Sequence, residues 1–235
     1  MSDYQELKEL AWKSNLELPK HGLVKFTFGN VSAIDRSKGV IAIKPSGVPY
    51  EKLTVDDMVV VDLQNNIVQG KLRPSSDTKT HLELYRNFKE IGGVCHTHST
   101  FATAWAQAIK PIPIFGTTHA DHLTDNVPCT PELADVLVGG DYEQEIGRLI
   151  LQVFEFLSYQ DAEMVLVASH GPFTWGSTAE KAVYNSVILE ELAKMAMLTL
   201  SINPETPRLK NALINKHYQR KHGRNAYYGQ NSHVY

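Results

Sequence analysis

Two histidines one residue apart, His96 and His98, stand in the run Gly93-Val94-Cys95-His96-Thr97-His98-Ser99. On an extended strand this spacing turns both imidazoles to one face and Thr97 to the other. Imidazole is a common ligand for zinc and related ions, and catalytic zinc usually takes three protein ligands with a fourth position open. The best third donor is His170, which follows the apolar segment 164–168 and precedes Gly171-Pro172, where the chain should turn. Strand ends are where open α/β sheets seat their sites. Thr118-His119-Ala120-Asp121-His122 competes, with two more histidines and a carboxylate. As bare pattern, the pair suits a metal and hydrogen-bonded core histidines about equally.

A second constellation is made of glycine, hydroxyl and amide residues. Gly29-Asn30-Val31-Ser32, Lys44-Pro45-Ser46-Gly47 and Arg73-Pro74-Ser75-Ser76-Asp77 read as three short turns. Phosphate is held by backbone N–H groups, hydroxyls and a cation, especially at helix N-termini. Ser75 and Ser76 lie where a helix should begin, although ordinary turn and cap chemistry uses the same residues. No GxxxxGK[ST] and no GxGxxG occurs, so nucleotide loops have no support. The basic stretch 216–222 reads by composition as a cationic last helical turn, with a frayed tail beyond it.

Around these residues the 235-residue chain should supply one domain, 1–235, since no linker, repeat or block of like charge divides it. A net charge of −3 gives no reason to expect nucleic acid or an anionic membrane as partner. No apolar run approaches the roughly 18 residues of a membrane span, and the polar N-terminus lacks a signal-peptide core. Cys95 and Cys129 make no disulfide framework and are expected to be small buried residues, in keeping with a cytoplasmic location.

Helices are expected over 4–19, 76–88, 100–108, 141–157, from the Ser177–Glu180 capping box to 202, and over 208–221. Strands are expected over 23–28, 39–44, 58–63, 67–68, the histidine segment and 164–168. The elements alternate without a regular βαβ rhythm. A three-layer α/β/α sandwich with a central, largely antiparallel mixed sheet follows.

Taken together and in order, GNVSAID, IKPSGVPY, RPSSDT, THLELY, HTHS, GTTHAD, SHGPFTWG and KHYQRKHG followed by AYYGQ resemble the L-ribulose-5-phosphate 4-epimerases of the class II aldolase/adducin superfamily. The resemblance runs from about residue 7 to 230. It implies a cyclic C4 homotetramer with sites at subunit interfaces, one zinc per subunit (manganese or cobalt as substitutes) and a sugar-phosphate substrate. It further implies His96, His98 and His170 as metal ligands with Asp77 beside the metal. The phosphate pocket would draw on Asn30, Lys44, Ser46, Gly47, Ser75 and Ser76. Asp121 and Tyr228 would be the acid/base pair, with His217 and Arg220 accompanying Tyr228 from the neighbouring subunit. That last implication replaces the frayed tail.

The chemistry agrees with the residues. C4 of a 2-ketopentose lies β to the carbonyl, so its hydrogen is not acidic, and inversion needs either transient oxidation or cleavage of C3–C4. The missing dinucleotide fingerprint argues against oxidation. Retro-aldol cleavage leaves an enediolate that a Lewis-acidic metal stabilises, and inversion then requires two proton-transfer groups on opposed sides. Related aldolases, such as those acting on L-fuculose 1-phosphate, typically carry Glu where this chain has Asp77, and the shorter carboxylate favours epimerisation. The intact histidine motifs disfavour a non-catalytic, adducin-like role. Departures from the epimerase pattern are Cys95, the His-Leu-Thr-Asp that follows Asp121, and the five residues after Gln230. Arabinose and ascorbate routes use near-identical enzymes.

Overall fold

Seven strands build one sheet: β1 (Asn30–Asp35), β2 (Val40–Ile43), β3 (Val59–Asp62), β4 (Ile67–Gln69), β5 (Gly93–His96), β6 (Met164–Val167) and β7 (Gly171–Gly176). Their spatial order is β4-β3-β2-β1-β5-β7-β6, and every pairing between them is antiparallel. In this computed structural model residues 3–224 and 226–228 are described. The Gly229-Gln230 end of the AYYGQ motif and the five residues after it lie outside them.

Period-two alternation sends side chains to two cores. Val40, Ala42, Val60 and Cys95 meet helices α1 (Gln5–Lys20) and α7 (Ala179–Ile202) on one face. Ile41, Ile43, Val59, Val61 and Val94 meet α2 (Thr78–Asn87) and α6 (Tyr142–Val153) on the other. These strand positions are essentially inaccessible to water, and each aliphatic side chain so buried contributes roughly 1.5–3 kcal/mol. Helix α3 (Thr100–Gln107) joins α7 over β6 through Ala102, Ala106, Leu166, Leu189 and Ala193. The expected three-layer α/β/α architecture is the observed one. Short helices α4 (Thr117–Ala120) and α5 (Asp135–Val138), and helix α8 (Asn211–His222), complete the elements of the described residues. Among the described residues no helix is long and apolar enough to cross a membrane.

Four local expectations change. The segment read as a turn at Gly29-Asn30-Val31-Ser32 runs into the interior strand β1, paired with β2 and β5. Segment 23–28 is not a strand: Phe28 N–H bonds the Lys25 carbonyl in a turn, and Phe26 takes φ 52° with its ring 84% exposed. Only Leu23 and Val24 of that segment are buried, so the apolar run has no sheet to join. Conversely, Gly171–Gly176 is an interior strand, although Gly-Pro reads as a turn. Pro172 falls on the strand's second residue, close to the strand start where proline is tolerated. Helix α7 is capped by Thr178, whose side chain accepts from Lys181 N–H, one residue beyond the expected Ser177. Both cysteines are free, Cys95 buried and Cys129 only partly so.

Candidate metal and substrate site

His96 is the last residue of β5, paired with Asn30 of β1 on one side and Phe173 of β7 on the other. Its ring stacks on Phe173 at 4.1 Å between centroids. Its Nδ1 lies 2.9 Å from the Pro172 carbonyl oxygen. A carbonyl only accepts, so Nδ1 carries a proton and Nε2 faces outward. Two residues on, His98 places its Nε2 3.1 Å from that of His96. His170 comes from the β6–β7 turn, where Ser169 takes the left-handed φ of 60°. Gly171 allows the turn to close on the strand, since a Cβ there would lie 2.9 Å from the Thr97 carbonyl.

The ligating atoms of His96, His98 and His170 lie within 4.8 Å of one another. Among the described residues this is the one such group, so His119 and His122 do not compete. Burial, then the neighbouring His96, lowers the pKa of His98, and the same causes push His170 down to about 3. Rings held neutral in this way are the form a metal requires. Three imidazoles converging on one point, with Asp77 alongside, fit a divalent cation of the zinc class.

Asp77 stands at the N-terminus of α2. Asn30 Nδ2 donates to its Oδ2 at 2.6 Å and to Ser75 Oγ at 3.0 Å. Burial raises the Asp77 pKa, but the charges of His96 and His81, the Asn30 amide and His170 outweigh it, and the net shift is downward. The buried Asn30 Oδ1 has no partner. Asn30 does not itself line the cavity that holds Asp77; it stands behind Asp77 and Ser75 as their donor.

The hydroxyl-rich turns are laced together. Pro45 and Pro74 form an antiparallel bridge, Ser46 N–H bonds the Arg73 carbonyl, and Ser75 N–H bonds the Lys44 carbonyl. Lys44, Ser46, Gly47, Ser75 and Ser76 consequently line the same cavity of about 430 Å³ as Asp77, His96, His98 and His170. The Lys44 ammonium is buried and, among the described residues, reaches the Thr27 and Pro45 carbonyls and the face of Tyr50. Desolvation lowers its pKa to about 8.

The remaining expected residues assemble elsewhere. Asp121, just past α4, accepts from His217 Nδ1 at 3.0 Å and from Arg220 Nε and Nη2 at 3.0 and 2.6 Å. Arg220 and Lys221 stand over the Tyr228 ring at 4.9 and 4.5 Å. None of these residues lines the histidine cavity. Asp121 thus does not line the cavity of its own chain. It is bound to His217 and Arg220 of its own chain, because α4 and α8 pack together through Ala120 and Ile214.

Thr27, Phe28, Tyr142 and Glu143 of the cavity wall were not anticipated, nor was His81 behind it. Tyr142 and Glu143 line the cavity from the first turn of α6. His81 is fully buried one helical turn beyond Asp77, its Nδ1 2.7 Å from Ser32 Oγ and its Nε2 without a partner. The THLELY motif contains His81, so the spacing Asp77-x-x-x-His81 was an available signal. Nothing local distinguishes Tyr142.

With this geometry in hand, comparison with known proteins is decisive for the family. Residues 9–197 match the class II aldolase and adducin N-terminal domain. The chain belongs to the class II aldolase and adducin family. Within it, the chain is similar to an L-fuculose 1-phosphate aldolase, with 26% identity, coverage of 92% of this chain and 95% of that one, and a TM-score of 0.79. It is also similar to YgbL, a putative aldolase/epimerase/decarboxylase, from Klebsiella pneumoniae and from Escherichia coli. Both comparisons give 25% identity and a TM-score of 0.72, covering 90 and 91% of this chain and 97 and 98% of those. The aldolases of this family are typically metal-dependent sugar-phosphate enzymes, and the three-histidine group of this chain could hold a metal.

Proposed function

We propose that the protein is an L-ribulose-5-phosphate 4-epimerase, producing D-xylulose 5-phosphate by cleaving and re-forming the C3–C4 bond. The observation that carries this reading is a single cavity in which a three-imidazole set with Asp77 adjoins an anion seat of Lys44, Ser75 and Ser76. A divalent metal held by His96, His98 and His170 would supply Lewis-acid stabilisation of the negative charge that cleavage leaves on the three-carbon fragment.

The protein's own groups do the rest. Lys44 with the hydroxyls of Ser46, Ser75 and Ser76 and the amides of Gly47 and Ser76 grips the phosphate, so the two-carbon aldehyde stays bound after C3–C4 breaks. Held only by that end, it can turn its carbonyl and present the opposite face. One acid/base group removes the C4 hydroxyl proton as the bond breaks, and another returns a proton to the C4 oxygen after re-addition on the other face. Asp121 and Tyr228 take these roles, aided by His217 and Arg220. Because the four sit together on α8 and just past the ends of α4 and α8, away from their own chain's cavity, we propose that a neighbouring subunit of a C4 homotetramer presents them as a unit. Asp77, too short to protonate the departing fragment's carbon, favours retention of both fragments over their release.

The test is direct. Incubated with L-ribulose 5-phosphate, the metal-loaded protein should yield D-xylulose 5-phosphate without free glycolaldehyde phosphate. Steady accumulation of glycolaldehyde phosphate and the three-carbon ketone would overturn the epimerase reading and leave an aldolase, the activity named for one of its structural relatives.

A further inference from the structure

The three histidines are not equally supported. His96 gives its Nδ1 proton to a backbone carbonyl, an acceptor that cannot be otherwise. His170 has no such partner. Among the described residues the one polar group within reach of its ring is the Tyr142 hydroxyl, 3.5 Å from Nδ1. That contact leaves Nε2 as the nitrogen turned toward His96 and His98.

Tyr142 arrives there through a device separate from the sheet. Helix α6 begins at Tyr142, and its preceding residue Asp141 makes no capping bond. The Asp141 carboxylate instead takes Lys79 Nζ of α2 at 2.6 Å, and Thr80 Oγ1 of α2 donates to the Glu143 carbonyl at 2.5 Å. Further along, Gly147 lets the two helices touch, since a Cβ there would stand 2.6 Å from that of Glu83. The helix that begins beside Asp77 therefore also clamps the first turn of α6 against the cavity. Tyr142 is half-buried in that wall, with its ring centroid 6.1 Å from that of His170.

We propose that Tyr142 is a positioning residue for the metal centre, holding His170 in the tautomer and ring orientation that ligate through Nε2. A hydroxyl is both donor and acceptor. When Nε2 faces a cation, Nδ1 must bear the proton, and the Tyr142 oxygen accepts it. The phenol's own hydrogen is then free for an oxygen of whatever occupies the cavity. Outer partners of this kind orient the ligand and raise its basicity, and their loss typically costs about 10–100-fold in metal affinity.

This inference rests on the metal-centre reading above, and the experiment separates the two. The full chain is stripped with chelator and titrated with zinc against a chromophoric competitor. Tyr142→Phe keeps the ring and its packing and removes only the oxygen. It should weaken zinc binding by about tenfold or more, while the melting temperature of the metal-free protein stays at the wild-type value. Equal zinc affinity in wild type and Tyr142→Phe overturns the proposal. A wild-type chain that takes up no zinc, or a His96→Ala chain that binds it as tightly, overturns the metal reading and this proposal with it.

Discussion

The histidine cavity and the Asp121 cluster are built on opposite principles. In the cavity, His96 is fixed by ladder positions on both sides, and the two hydroxyl turns are tied by backbone bonds. In the cluster, Asp121 is held by side chains: His217, Arg220 and, at 3.9 Å, Lys221. Its apolar support is small, essentially Ile114, Ala120 and Ile214. A sheet cannot shift register without turning every side chain over. A short helix seated on ion pairs can move as a body. The contrast suits a division of labour in which the cavity binds and the cluster transfers protons.

The largest expected effect breaks the cavity. His96→Ala removes the ligand that the sheet places most rigidly. Zinc affinity, measured by chelator competition, should fall by more than the roughly 10–100-fold that an outer partner is worth, and turnover should drop to background. A His96→Ala protein that retained zinc and turnover would show that the cluster, not the cavity, is the chemical centre.

Next is Asp121→Asn, expected to lower kcat by about 10²–10⁴-fold, the usual range for a general acid or base, with zinc content unchanged. Mixing decides whose cavity the cluster serves. If a neighbour presents it, co-refolded His96→Ala and Asp121→Asn chains should recover about a quarter of wild-type activity, because random assembly leaves that fraction of interfaces with both parts intact. If each cluster serves its own chain, mixing restores nothing.

Lys44→Met tests the anion seat. Losing a charge-assisted contact worth roughly 1.5–3 kcal/mol should raise KM about 10–100-fold with kcat changed less. The wild type should show a gentler version of the same loss with pH. The Lys44 value is lowered to about 8 by burial, so the ammonium is present below that pH and lost above it. KM should therefore rise as pH climbs through about 8, and the rise should be absent in Lys44→Met.

The two regions also differed in how far the sequence disclosed them. The i, i+2 histidines and the residue after an apolar strand were readable because strand periodicity is local; the antiparallel sheet is observed, but its strands β1 and β7 were not foreseen, because Gly29-Asn30 and Gly171-Pro172 read as turns. Asp121, His217, Arg220 and Tyr228 came only through resemblance, since about 96 residues separate Asp121 from His217 and no periodicity links them. Tyr142 escaped altogether, because its place depends on Lys79, Thr80 and Gly147 fitting two helices together. Segment 23–28 misled for the complementary reason. It has strand-forming residues, but strand formation needs a neighbour that only the tertiary fold supplies.

The smallest expected effect concerns acid. Burial raises the Asp121 pKa, but hydrogen bonds from Arg220 and His217 and the charges of Lys221 and Arg220 outweigh it, so the folded value lies below the ordinary one. A depressed carboxylate contributes stability that is complete above its unfolded value, about 3.9, and vanishes as pH falls through the folded one. Asp77 is shifted the same way, yet its neighbours are tied by backbone bonds that protonation leaves intact. Acid should therefore loosen α8 as Asp121 protonates, while the cavity loses stability separately, because His98 and His170 are held neutral and must charge below the ordinary histidine value. Limited proteolysis by an acid-active protease should cut within 211–222 only below about pH 3.9 in the wild type and at higher pH in Asp121→Asn. Cutting that sets in at the same pH in both would show that α8 is seated by its apolar contacts and that the Asp121 ion pairs add little.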